Sequence, residues 1–308
     1  MSLHIVMYHY VRDPETSMFP GLMALGVDQF ERQLDYFQST GQVVSGDEAS
    51  TIIENNLPID DELYWLTFDD GFSDHFETVF PRLVRRGISG TFFPPTKPIM
   101  EGTVLDVHKI QIVIASIAQS DLLDTFKAEY MKLKSEFGGL PEFGELWIEH
   151  GFPNRLDSAE VSFLKRMLQF VLPNDLRHEL CDRMFSRSTS FDELEVSRSH
   201  YLNEEWIREM VNAGMEFGSH GHTHQWLNTL SRNSQLDDIE SSLEFLRGVG
   251  VDNSEWFMCY PFGGYNEETL EIVSELKFRA ALTTKMGSIE RGDVNMFELP
   301  RRDTIEFV

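Results

Sequence analysis

Cysteine is almost missing from this chain: Cys181 and Cys259 are the two in 308 residues, far apart and in unlike contexts. They cannot build a disulfide framework or an all-cysteine metal site. Long apolar runs are also lacking, and none approaches the ~18 residues a membrane span needs. Basic residues are scarce, with 26 Lys and Arg against 51 Asp and Glu, a formal net charge of −25. A surface that acidic repels phosphate backbones and anionic lipid, which argues against nucleic-acid binding and for a neutral or cationic ligand. The same charge also serves plain solubility. The amino-terminal MSLHIVMYHYV lacks a basic leader, is broken by His4 and His9, and precedes no cleavage site. The expectation is a soluble, cytoplasmic protein; its oligomeric state is not legible.

What is present is an ordinary globular composition, 41% hydrophobic and 25% charged. Short apolar runs alternate with amphipathic stretches. Strands are expected at 3–8, 63–68 and 91–93, into Gly218, and at 256–260, 280–284 and 297–301. Helical spacing marks Phe30, Leu34 and Phe37, with Asp28 as a candidate cap, then 76–84, 204–211, 235–246 and 267–276. Such alternation predicts a parallel sheet or a βα barrel. From about 105 to 198 it breaks into a largely helical block, read as an insertion into one domain.

Reactive groups in parallel α/β folds gather where strands end. Three clusters lie there. Thr67-Phe68-Asp69-Asp70-Gly71-Phe72 runs a strand into two carboxylates; alone, these equally suit a plain turn. Gly218-Ser219-His220-Gly221-His222-Thr223-His224 places three of ten histidines within five residues. Imidazole with carboxylate suits a divalent metal, zinc first, with cobalt, nickel or manganese also tolerated. The bland reading is a solvated histidine loop. Cys259-Tyr260-Pro261-Phe262-Gly263-Gly264 lets backbone approach a ligand, or is an ordinary turn. Two neighbouring carboxylates cannot straddle a glycosidic bond, which disfavours a glycosidase.

TFDDGF, HGHTH and CYPFGG in this order resemble the polysaccharide deacetylases with a NodB-type domain, over about 1–104 and 199–308. That resemblance implies a distorted (β/α) barrel carrying a large helical insertion, and metal-dependent removal of an N-acetyl group from an amino sugar or glycan. It implies Asp69 as catalytic base, Asp70, His220 and His224 as metal ligands, and His222 beside the ligands or facing substrate. Two departures matter. Cys259 stands where many members carry an arginine, and no histidine follows His224 to act as general acid. A sub-group acting on exported poly-N-acetylglucosamine resembles a permuted form, with an early Tyr-His segment and a late strand like Glu298-Leu299-Pro300-Arg301. By that resemblance His9 takes the acid role and Arg301 replaces the missing arginine, with Asp303 on the same strand face to hold it.

The chemistry follows from the donors. A divalent metal polarises an amide carbonyl and lowers the pKa of bound water towards ~7. Asp69 takes the water's proton, the Tyr260 N–H beside Pro261 receives the oxyanion, and His9 protonates the leaving amine. The competing readings are an amidase or deformylase acting on a non-polymeric substrate, and a non-catalytic carbohydrate-binding relative. Within the helical block His108 is a candidate for the active-site rim or a helix-start residue without a role.

Overall fold

The computed structural model describes residues 1–155, 157–251, 255–292 and 294–307. Eight strands form one parallel sheet: β1 Leu3–Tyr8, β2 Gly41–Val44, β3 Glu62–Asp69, β4 Thr91–Phe93, β5 Glu216–Phe217, β6 Trp256–Cys259, β7 Phe278–Met286 and β8 Leu299–Asp303. Their order is β5-β4-β3-β1-β8-β7-β6, with β2 flanking the first half of β3. The two ends of that order meet at Ser219. Its N–H donates to the Phe257 carbonyl at 2.8 Å, and its carbonyl accepts from the Cys259 N–H at 2.9 Å. Seven strands thereby make a nearly closed barrel, the expected fold.

Strand alternation sorts the side chains into two layers. Val6, Tyr8, Leu66, Phe68, Phe92 and Met258 face outward and pack with the helices, such as Phe30, Leu34 and Phe37 of Val27–Thr40. Leu3, Ile5, Leu63, Trp65, Phe93, Phe257, Leu282 and Leu299 form a second cluster facing the barrel interior. Being covered on both faces explains why LYWLTF reads as an apolar run. It also fixes which polar groups point inward: Asp69 lies four residues past Trp65, and Arg301 and Cys259 two past Leu299 and Phe257.

Backbone contacts divide the chain into two units. The barrel unit comprises Met1–Asp13, Ala24–Thr103 and Ser197–Val308. The other, Pro14–Met23 with Val104–Val196, is built of helices from Asp106–Ser116 to Glu193–His200, the last of which continues past its boundary. Its centre includes Phe126, Tyr130, Phe163 and Met184, and His108 is fully buried. No helix among the described residues is long and apolar enough to cross a membrane.

Local differences from the sequence reading have local causes. β2 and the helix Gly46–Glu54 were not anticipated, although Ser45 and Glu48 form a capping box that marks that helix. Asp28 does not cap; Gly26 does, without a side-chain bond, leaving Asp28 in the first turn. The helix expected at 76–84 begins as a π turn, His75–Val79, before the α-helix Phe80–Arg86, which ends at the left-handed Gly87.

Candidate active site

β3 carries Asp69 to the barrel mouth and then turns sharply. Asp70 (φ 73°) and Gly71 (φ 62°) are both left-handed. A Cβ on Gly71 would lie 2.6 Å from the Pro94 ring, so glycine is required there. Ordinary alternation would set Asp69 and Asp70 on opposite faces; the left-handed turn brings both to one site. His224 (φ 55°) and Phe262 (φ 55°) adopt the same unfavourable conformation. Strain at three clustered non-glycine residues is a mark of a site whose geometry is imposed by its surroundings.

Asp69 is fixed by a two-pronged ion pair. Arg301 Nη1 donates to Oδ1 at 2.9 Å and Nη2 lies 2.8 Å from Oδ2, with both side chains almost wholly buried. Arg301 Nε is anchored on the Thr283 carbonyl at 2.9 Å. Burial alone would raise the Asp69 pKa, but Arg301 above all holds it down at about 2. The Cys259 thiol donates to Oδ2 at 3.5 Å, and His9 Nε2 stands 4.0 Å from the same oxygen. His9 remains 46% exposed, open to a ligand. Arg301 and Cys259 thus meet at the same carboxylate, the one from β8 and the other from β6. Asp303 does not hold it, contrary to expectation: its carboxylate accepts from the Ile305 N–H at 3.0 Å and caps the following turn.

Three donors converge beside this pair. His220 Nδ1 donates to the Cys259 carbonyl at 2.7 Å, which turns Nε2 toward Asp70 and His224. His220 Nε2 lies 3.4 Å from Asp70 Oδ1, His224 Nε2 lies 3.2 Å from that oxygen, and the two Nε2 atoms are 3.2 Å apart. Ligands at ~2.1 Å from one cation sit roughly 3.0–3.5 Å apart, so the trio fits a single divalent ion. Burial depresses the His220 pKa, yet Cys259, Asp70 and Asp69 together raise it well above the usual value. The pocket therefore attracts positive charge, which a metal would supply. Asp69, His220 and Cys259 make a second close trio. There a cation would meet the buried Arg301 guanidinium, already paired with Asp69, and a thiol whose pKa burial pushes up. The Asp70 trio is the better metal site.

The family model for polysaccharide deacetylases matches residues 188–281. Over those residues the chain is similar to that family. YxkH of Bacillus subtilis (strain 168), named as a polysaccharide deacetylase, is 30% identical over 106 residues, which is 34% of this chain and 37% of that protein. The match therefore spans little more than a third of that relative. The Streptococcus pyogenes deacetylase PplD, solved with acetate, superposes with a TM-score of 0.59 at 19% identity, covering 98% of this chain and 92% of that one. IcaB from Ammonifex degensii gives 0.58 at 16% identity, covering 98% and 91%. At such identities the likeness is one of fold, and that fold is the deacetylase (β/α) barrel.

Other residues of the domain fall less simply. His222 points away from the three donors: its Nδ1 pairs with Thr96 Oγ1 at 2.8 Å, and Nε2 is 3.8 Å from Glu101. Pro261 is buried. The Tyr260 N–H donates to the Leu282 carbonyl at 3.2 Å, so it is not available for the oxyanion expected there; its ring is buried and its hydroxyl donates to the Phe297 carbonyl.

Asp238, on the helix Arg232–Gly248, went unnoticed in the sequence. Its carboxylate accepts from the His222 and Thr223 N–H groups, each at 2.9 Å, and from the Thr223 hydroxyl at 2.5 Å. It shapes the histidine loop. A Cβ on the left-handed Gly221 would lie 2.4 Å from that carboxylate. The faint signal was a buried polar series, Gln235, Asp238 and Ser242, along an otherwise apolar helix face.

Proposed function

We propose that this chain is a C–N hydrolase that removes the N-acetyl group from an amino sugar or glycan with the help of a divalent metal, zinc first. The observation that carries this reading is the convergence of Asp70, His220 and His224 beside an Asp69 that Arg301 keeps ionised. Asp70, His220 and His224 would hold the metal. When bound, it supplies a Lewis acid for the acetyl carbonyl and makes water acidic enough to be deprotonated near neutral pH.

The chain's own groups do the rest. Asp69 accepts the water's proton; Arg301 orients the carboxylate and keeps it charged. His9, exposed and 4.0 Å from Asp69, hands a proton to the departing amine nitrogen, without which the C–N bond does not break. A base poised in this way has no use in a mere carbohydrate binder. The acidic surface, net −25, suits a substrate that becomes cationic as acetyl groups leave. We also read residues 104–196 as an insertion into the barrel's sequence that contributes to substrate choice.

The test is acetate release from N-acetylated oligosaccharides by the purified chain, with and without a chelator. Release that stops on chelation and returns with zinc or cobalt supports the reading. No release from any N-acetylated glycan, with metal loaded, defeats it.

A further inference from the structure

Asp74 and His75 follow the Asp69–Asp70–Gly71 turn, are both buried, and have no part in the chemistry above. His75 opens the π turn His75–Val79, a helical irregularity frequent at functional sites. Both side chains grip the segment that leaves β1. Asp74 Oδ2 accepts from the Val11 N–H at 3.1 Å and from Arg12 Nε at 2.7 Å. His75 Nε2 donates to the His9 carbonyl at 3.0 Å. Two adjacent residues thus hold three groups of residues 9–12.

His75 is a poor choice for filling space. It lies among the rings of Phe68, Phe72 and Phe92, with centroids 5.6 to 5.8 Å away. Burial keeps it neutral, with its pKa lowered to about 4. A carbonyl can only accept, so the proton sits on Nε2, and Nδ1 has no hydrogen-bond partner among the described residues. An apolar side chain would pack there without that desolvation penalty. What the imidazole adds is its one bond, to His9. The His9 ring itself makes no hydrogen bond among the described residues, its contact with Asp69 being 4.0 Å. Its direction is therefore left to the backbone.

We infer that His75, with Asp74 beside it, is a positioning residue that locks the backbone at His9 and so aims the His9 imidazole at the space over Asp69. The inference rests on the reading of His9 as proton donor to the leaving amine.

The experiment compares His75→Gln and His75→Asn. A glutamine amide nitrogen reaches where Nε2 was; an asparagine amide stops about one bond short. Both are polar and small enough to fit. With metal-loaded protein and an N-acetylated oligosaccharide, His75→Asn is expected to lower kcat at least ten-fold with KM changed less than three-fold, and His75→Gln to stay within about three-fold of wild type. In a His9→Ala background the same two substitutions are expected to alter kcat by less than two-fold, since the group they aim is gone. Metal content by elemental analysis is expected to be equal in all variants. Equal kcat for the Gln and Asn variants, or the same Asn penalty with and without His9, overturns the positioning role. The His9→Ala variant tests the underlying reading separately: slow turnover there with an unaffected His75→Asn defeats the clamp alone, whereas near-normal turnover of His9→Ala removes His9 from the chemistry and the clamp with it.

Discussion

Arg301 grips both oxygens of Asp69, at 2.9 and 2.8 Å, across 232 positions of sequence. Two inward-facing positions on different strands supply a charge and its counter-charge, both almost wholly buried. Removing one partner leaves the other buried and unpaired, which costs about 3–5 kcal/mol. Arg301→Leu is therefore expected to lower the melting temperature and to raise the Asp69 pKa from about 2. The acid limb of the kcat/KM profile should move to higher pH, with Arg301→Lys intermediate. An unmoved limb in a folded, active Arg301→Leu protein would show that the pair does not set the base.

Asp69→Asn keeps the size of the side chain, removes the proton acceptor and leaves the buried Arg301 charge uncompensated, so a lower melting temperature is expected beside the loss of activity. Turnover is expected to fall by roughly 10²–10⁴-fold, the usual worth of a general base, with metal content unchanged. Steady-state rates and elemental analysis on one preparation check both halves.

Asp70→Ala and His220→Ala act on the other half of the site. Each leaves two of three proposed ligands, so bound metal is expected to drop well below stoichiometric after dialysis. Unchanged metal in either variant takes that residue out of the ligand set.

His75 makes acid stability a separate readout. Its folded pKa, about 4, lies below the ordinary 6.5 because burial disfavours the charged ring. The unfolded chain takes up a proton below about pH 6.5, and the folded one does not until about pH 4. Stability from this group is thus present above pH 6.5 and lost as pH falls toward 4, by up to about 3 kcal/mol. Urea titrations of His75→Gln are expected to give a flatter stability profile across that window than wild type.

Gly71→Ala places a Cβ 2.6 Å from Pro94 on a left-handed backbone. A loss of about 1–3 kcal/mol is expected from the conformation alone. Calorimetry checks it, and a melting temperature within a degree of wild type would mean that the turn relaxes freely.

Residues whose meaning depends on neighbours in sequence were legible. TFDDGF and HGHTH showed themselves because a strand end, a turn and a spaced pair of histidines are local patterns, and alternation announced a parallel sheet or barrel. The short β2 escaped because four residues carry little periodicity. The Tyr260 oxyanion donor failed because strand pairing with Leu282, invisible along the chain, claims that N–H.

By itself the sequence determined the kinds of groups at each strand end, and alternation determined which faced inward, because side-chain direction follows from local backbone geometry. Tertiary structure alone decided which inward groups meet. β8 lies between β1 and β7, so Arg301 reaches Asp69; Asp238 turns under the histidine loop; His75 meets the His9 carbonyl. Those pairings depend on strand order and closure, which arise from burying whole faces together and leave no periodic trace in the chain.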